Sequence, residues 1–390
     1  MNCNLQHEIT RYILIFLFTL FLWGCSNPNP NQKENTNKPE KAVYLLENSE
    51  ILLEITQRGG MYTRFELKNT PLNPFGWKLK PGQMPENNQP YVFRGHFLCT
   101  GRWGAPSPGE IKSGIPHNGE VNTEKWEVTN DTFTDQGNHL LKLYCEAPIE
   151  KLHTQREILF PDKNNVFVVR ETFINDQPIA RLSNFVQHAT IAPPFLTENT
   201  RISTNAAKGF DQRAEPGTLN NNDFNWPNAL LQTGEKVDLR NTNTENGFVV
   251  THLFNKKDEI SWITAYAPEK KILLGFVFKT KDYPWLNYWQ HYPEGQPFVK
   301  GLEFGTTGLG ADYRVLLSED THFHGKPSYI FMDAGERLQK TWMGFQYQLE
   351  ENTGDVENIT LKDQYLSICF QEGKCMDFPI DKEIFQFFMQ

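Results

Sequence analysis

From Ala42 onward, short runs of β-branched and aromatic residues are broken about every ten residues by Gly, Pro, Asn and Asp. Ile51-Leu-Leu-Glu-Ile-Thr56, the turn Arg58-Gly-Gly60 and Met61-Tyr-Thr-Arg-Phe-Glu-Leu67 predict strand, tight turn and strand. Ile158-Leu-Phe160, the polar Pro161-Asp-Lys-Asn-Asn165 and the run from Val166 to Ile174 predict a longer hairpin. Helical periodicity is scarce, and Gly335 to Met343 fits a short helix and a strand equally well. The pattern predicts an all-β chain folded as a large antiparallel β-sandwich. Two stretches interrupt it. Asn205 to Pro227 is polar with interspersed rings and predicts a long functional loop. Gly95 to Glu110 holds Gly and Pro at a density expected to exclude regular structure and to bring backbone close to a ligand.

The N-terminus departs from globular patterning. Tyr12 to Trp23 is an apolar run of 12 residues after Arg11. A bilayer-spanning helix needs roughly 20 such residues, so the run predicts the core of a signal peptide. Leu22-Trp-Gly-Cys25 resembles a bacterial lipobox, which makes Cys25 the expected lipidation site. Ser26 to Pro39 has no apolar residue and predicts a solvated tether. The expected organisation is a lipoprotein signal peptide over 1–24, a tether over 25–41, a main domain over 42–349, and an extension over 350–390 that packs on it. The expected location is the cell envelope, with a lipid anchor in the inner or outer membrane of a bacterium.

Composition narrows the function. Charged residues at 22% and hydrophobic ones at 38% are globular values. The 29 Phe, 13 Tyr and 9 Trp supply a large core and leave rings for a surface site. A net charge of −9 and the lack of a basic stretch argue against nucleic acid. With Cys3 removed in the signal and Cys25 lipidated, Cys99, Cys145, Cys369 and Cys375 remain. The last two flank a turn-like Phe370-Gln-Glu-Gly-Lys374, and an exported protein admits a local disulfide there. No CxxC pair or Cys/His cluster of zinc spacing occurs, so neither metal nor cofactor is expected.

Three constellations carry candidate chemistry. The first joins His96, Arg102, His117 and Glu120 to Trp103. Sugar hydroxyls want planar bidentate partners and the C–H face of a sugar wants a ring, although a loop stitched by its own hydrogen bonds has the same composition. The second is Asn184 to Ile191, where alternation sets Val186, His188 and Thr190 on one face and Phe185, Gln187 and Ala189 on the other. There His188 is an acid, a base or a satisfied core residue. The third is Trp285-Leu-Asn-Tyr-Trp289-Gln-His291 followed by Val299 to Gly308. Alternation puts Leu302 and Phe304 toward the core and Glu303 between Gly301 and Gly305 on the other face, where two glycines clear space for a ligand, a solvated edge-strand Glu being the alternative. His322-Phe-His324 offers two imidazoles on one strand face with no third ligand nearby and reads as ordinary.

On these segments the chain resembles the galactose mutarotase (aldose 1-epimerase) superfamily. Arg58-Gly-Gly60 and Asn73-Pro-Phe-Gly-Trp77 resemble that family's opening strand and loop. Pro116-His-Asn-Gly-Glu120 with Trp126 is similar to its His-Gly segment, with Asn118 intervening, and Gln187-His188 to its second His. Leu302-Glu-Phe304 is similar to the strand that carries its catalytic Glu. The resemblance implies a mutarotase-like supersandwich that binds a mono- or oligosaccharide on a concave sheet, with Glu303 as base, His188 as acid and His117 assisting at the ring oxygen. His96, Arg102, Trp103, Glu120, Gln187, Trp289 and, as counterpart of the family's substrate-binding Asp, Asp211 are the expected substrate contacts. A carbohydrate-binding lipoprotein without catalysis is the alternative. A polysaccharide lyase or glycoside hydrolase is a weaker one, because hydrolysis usually demands a second carboxylate across the site.

Overall fold

A computed structural model describes residues 43–79, 93–242, 247–291 and 299–390. The signal peptide, Cys25 and the tether expected over 25–41 lie outside these residues. Two antiparallel sheets form the sandwich. The larger has ten strands in the order Val43–Glu47, Ile51–Thr56, Tyr62–Leu67, His96–Thr100, Phe185–Ile191, Val299–Gly305, Trp285–His291, Phe248–Phe254, Ala206–Asp211 and Phe224–Asn225. The other has eight, in the order Arg201–Thr204, Ile260–Ala267, Ile272–Lys279, Arg337–Gln348, Val166–Asn175, Leu152–Phe160, His139–Ala147 and Glu127–Phe133. Both predicted hairpins are present, with Gly59 and Gly60 at φ 80° and 56° in the first turn. Among the described residues no helix is long and apolar enough to cross a membrane.

The core lies between the sheets and is dominated by rings. Phe304 of the large sheet stacks on Phe278 of the other at 4.3 Å, and Trp342 meets Phe304 and Phe276 edge-on at 6.0 and 5.9 Å. A buried charge pair also sits there. Arg156 Nε donates to Glu171 Oε1 at 2.7 Å, the guanidinium lies 4.1 Å from the Trp126 ring, and Nη1 donates to the Gly60 carbonyl at 2.6 Å. Breaking one partner of such a pair leaves an uncompensated buried charge, which costs about 3–5 kcal/mol.

The central strands of the eight-stranded sheet are buried on both faces. In Val166–Asn175, Phe167, Val169 and Phe173 point to the central core, whereas Val166 and Val168 point outward into a second apolar cluster. The segment from 350 onward supplies that cover. Its strands Val356–Lys362, Tyr365–Phe370 and Cys375–Pro379 form a small sheet, and the helix Lys382–Met389, capped by Asp381, buries Ile384 and Phe388. Cys369 and Cys375, opposite one another on neighbouring strands, are joined by a disulfide.

One local expectation is decided between its alternatives and two change. Arg337–Gln348 is a strand, because it pairs on one edge with Val166–Asn175 and on the other with Ile272–Lys279, and those two ladders outweigh helix propensity. The stretch from 205 to 227 is not all loop: Ala206–Asp211 pairs with Phe248–Phe254, and Gly209 permits close approach, since a Cβ there would meet His252 Cδ2 at 2.6 Å. Gly95 to Glu110 contains the strand His96–Thr100, bracketed by Gly95 and Gly101 at φ 47° and 62°. It then runs into the one-turn helix Pro108–Lys112, where Pro starts the helix and Ser107 with Glu110 forms a capping box.

Candidate functional site

One transverse row of side chains crosses the outer face of the large sheet. The registers pair Phe97 with His188, His188 with Glu303, Glu303 with Asn287, and Asn287 with Thr251. These are residues from five neighbouring strands, brought side by side because antiparallel partners stand directly opposite. His188 Nε2 lies 3.1 Å from Glu303 Oε1, and the other carboxylate oxygen accepts from Trp103 Nε1 at 2.8 Å. His188 Nδ1 lies 2.9 Å from Thr190 Oγ1, one period-two step along the same strand. Phe97 stacks on the His188 ring at 4.3 Å, which fixes its plane. Farther along, Thr251 Oγ1 donates to Asn287 Oδ1 at 2.7 Å and Asn287 Nδ2 to the Thr307 carbonyl at 3.0 Å.

The flanking glycines act differently from one another. A Cβ on Gly301 would meet Glu303 Oε1 at 2.6 Å, so Gly301 makes room for the carboxylate itself. On Gly305 it would meet Val186 Cγ2 at 2.7 Å, so that glycine makes room for the neighbouring strand.

Above the row lies a cleft of about 520 Å³ walled by aromatic side chains. Trp289 meets the His188 ring edge-on at 5.8 Å, and Trp77 meets Trp289 edge-on at 5.9 Å. His291 stacks against Trp289 at 5.9 Å. His117 stands half-buried at the wall opposite, 6.1 Å from the Phe93 ring. Asn118, the residue that separates His117 from Gly119, has φ 62° and makes two hydrogen bonds to Gly104: its Oδ1 accepts from the Gly104 amide at 2.7 Å and its own amide donates to the Gly104 carbonyl at 3.1 Å. Those bonds tie the His117 loop to the Trp103 loop.

Burial sets the electrostatics. It pushes the Glu303 carboxyl up to about 8, against a downward pull from the Trp103 hydrogen bond. It pushes His188 down to about 3. His117 is lowered to about 4 by burial and by the Arg102 charge. Both members of the central pair therefore favour their neutral forms, a state that provides one proton for the contact between His188 Nε2 and Glu303 Oε1. A larger groove of about 820 Å³, bordered by Lys256, Lys281 and Lys326, contains none of the residues of this row. Among the described residues no group of three or more His, Cys, Asp or Glu side chains is placed to hold a metal ion.

The residues proposed from sequence separate into two sets. Glu303, His188, His117, Trp103 and Trp289 all line the cleft. Trp103 is only 6% exposed and its indole nitrogen serves the carboxylate, so it orients Glu303 more than it offers an open stacking face. His96 and Gln187 point the other way, into the core, because Gln187 is one position from His188 and His96 faces the same interior. His96 Nε2 lies 3.1 Å from Gln187 Oε1, and Gln187 Nε2 donates to Glu171. Arg102 donates to the Ala105 carbonyl of its own loop and to the Ala311 carbonyl of the loop after Val299–Gly305. Glu120 accepts from the Ile149 and Glu150 amides at 3.0 and 2.9 Å. Asp211 is held by Arg213 at 2.6 Å and by the Gln232 amide at 2.9 Å, and it does not line the cleft. His322 and His324 lie near the surface beside Asp320 and Asp223. Asn287 and His291 were within reach of sequence reasoning, since they share the period-two face of Trp289. Phe97 carried no local signal, and Trp77 entered only through the resemblance of Asn73-Pro-Phe-Gly-Trp77.

No family model and no curated protein matches the chain. Solved structures do. A provisionally designated aldose 1-epimerase from Klebsiella pneumoniae superposes with a TM-score of 0.56 at 13% identity, over 78% of this chain and 79% of that one. A galactose mutarotase-like protein from Clostridium acetobutylicum gives 0.55 at 12% identity, over 79% and 95%. Another from Lactobacillus casei gives 0.54 at 14%, over 78% and 100%. The fold is thus that of the galactose mutarotase-like proteins, at a sequence distance that carries architecture and not activity.

Proposed function

We propose that the cleft binds the reducing end of a carbohydrate and interconverts its anomers, with Glu303 as base and His188 as acid. The contact of 3.1 Å between Glu303 Oε1 and His188 Nε2 at the floor of an aromatic cleft carries this reading. The anomeric hydroxyl and the ring oxygen are bonded to the same carbon, so the base and the acid must also be close together. In the carboxylate–imidazolium tautomer of the pair, Glu303 takes the hydroxyl proton as the bond from the anomeric carbon to the ring oxygen breaks, and His188 gives its proton to that oxygen. The open-chain aldehyde turns about its first carbon–carbon bond and closes on the other face, with both transfers reversed. Trp289, half-buried at the cleft wall, supplies a ring face for the sugar's C–H surface. His117 stands at the wall, where it polarises the ring oxygen.

One observation favours a binding protein without turnover: both oxygens of Glu303 already have partners, in Trp103 and His188. Hydrolysis or lyase chemistry has less support, because Glu303 is the one carboxylate among the described residues of the cleft and Glu120 is engaged elsewhere. Polarimetry and NMR of wild-type protein with an aldose panel, run beside calorimetric binding, test the proposal. Binding with no acceleration of interconversion across the panel would leave the non-catalytic reading.

The proposal includes a lipid anchor at Cys25, on the strength of Leu22-Trp-Gly-Cys25 and the apolar run before it. Cys25→Ala is expected to leave the membrane fraction for the soluble one with the domain folded. A variant that stays in the membrane would remove the anchor from the proposal.

A further inference from the structure

We propose that the sugar bound in this cleft carries an apolar substituent, which lies in a second compartment on the far side of Trp103. The inference rests on the sugar reading above and specifies its ligand class.

A compartment of about 450 Å³ adjoins the cleft, and Trp103, Gly104 and Val249 line both. Its remaining walls come from loops after two strands and from the short helix Tyr313–Ser318: Gln212, Ala214, Pro216, Leu309, Ala311 and Val315 are the residues that matter. Val249, Ala214, Pro216, Ala311 and Val315 are each half-buried, so apolar surface remains unpacked there.

Among the described lining residues, the polar side chains of this compartment are Trp103 and Gln212, and both are committed inside the fold. Trp103 Nε1 donates to Glu303. Gln212 Nε2 donates to the Gly308 carbonyl at 2.7 Å and to Thr251, and its Oε1 accepts from the Gly310 amide at 3.1 Å. A sugar ring placed there would lose hydrogen bonds to water and gain few in return, at a cost for each unpaired hydroxyl. A hydrocarbon or aryl group gains from the burial. The first compartment is also rich in rings but adds Glu303, His188, His117 and His291 to its wall. Ionisable side chains thus sit on one side of Trp103 and, among the described lining residues, none on the other, which matches a ligand with a polar head and an apolar arm. The arm is attached away from the anomeric oxygen, which must stay free to ionise.

The test uses three probes: 1-naphthol, unsubstituted D-glucose and D-galactose, and their octanoyl esters at each non-anomeric hydroxyl. Wild-type protein is expected to bind 1-naphthol by fluorescence, and one ester at least about tenfold more tightly than its parent aldose by calorimetry. Ala311→Trp fills the compartment and should abolish the naphthol signal and bring the ester-to-parent ratio to about one. Val315→Trp, on the helix, repeats the test should Ala311→Trp fail to fold by circular dichroism. Parent aldose bound with no gain for any ester, or naphthol binding unaffected by either variant, would overturn the inference and leave the sugar reading standing. Naphthol bound and lost in the variants, with neither aldose nor ester bound, would instead sink the sugar reading.

Discussion

His188 and Glu303 are cross-strand partners, directly opposite in the pairing of Phe185–Ile191 with Val299–Gly305, and their side chains meet at 3.1 Å on the face away from the core. The strands are 115 positions apart in the chain at this point, so backbone pairing, and not sequence proximity, makes the pair. Sheet register is rigid because a slip of one residue would turn Leu302 and Phe304 out of the core. The proposed acid and base are therefore held by the same forces that hold the sandwich together.

Glu303→Gln keeps the shape of the side chain and removes its ability to take a proton. Anomer interconversion should fall by at least ~10²-fold while sugar affinity changes little. A variant rate equal to a measurable wild-type rate would sink the base assignment.

The pH profile follows from proton counting. A pair that takes one proton and gives one needs a single mobile proton between its members. Burial pushes Glu303 up to about 8 and His188 down to about 3, so that state spans the range between. The interconversion rate should be nearly flat from about pH 5 to 7 and decline toward about tenfold per unit above pH 8, as the shared proton is lost. A rate that rises through pH 8 would mean that the ionised carboxylate acts without the paired proton.

Stability carries the same signature. Burial pushes the folded Glu303 carboxyl up to about 8 against an ordinary value of 4.5, so between those limits the folded state holds a proton that the unfolded state releases. Wild-type stability is thereby lowered as pH rises through that window. Glu303→Gln lacks this slope, and its Tm minus that of wild type should increase from pH 5 to pH 8 and level off beyond. A difference independent of pH in calorimetric melts would show that Glu303 is not held neutral.

Trp103→Phe removes the indole donor and keeps a ring. That hydrogen bond favours the carboxylate, so its loss should raise the Glu303 value further and move the alkaline limb of the profile upward. An unmoved limb in the pH–rate curve would separate Trp103 from the carboxylate.

Gly301→Ala puts a methyl group 2.6 Å from Glu303 Oε1, where the far end of the side chain must move. Displacing the carboxylate from the His188 line should cost up to ~10²-fold in interconversion, with a stability change on the order of 1 kcal/mol. Loss of folding in place of loss of rate, read by circular dichroism, would make Gly301 a packing position.

Much of the architecture was legible in the chain, and for local reasons. Runs of β-branched and aromatic residues between turn-forming ones are nearest-neighbour chemistry, and so is the alternation that separates Glu303 from Leu302 and Phe304, or His188 from Gln187. What that reasoning could not do is choose among faces. His96, Arg102, Glu120 and Asp211 are the residue types a sugar site uses, but burial, carbonyl acceptors and backbone amides reached through the fold engage them in loops and core. Arg337–Gln348 became a strand only because two neighbours offered it ladders. The row from Phe97 to Thr251 belongs to the same class of fact. Alternation determines which way each side chain points from its own strand, but only the register between strands, fixed by the packing of the opposite face, determines which side chains stand together.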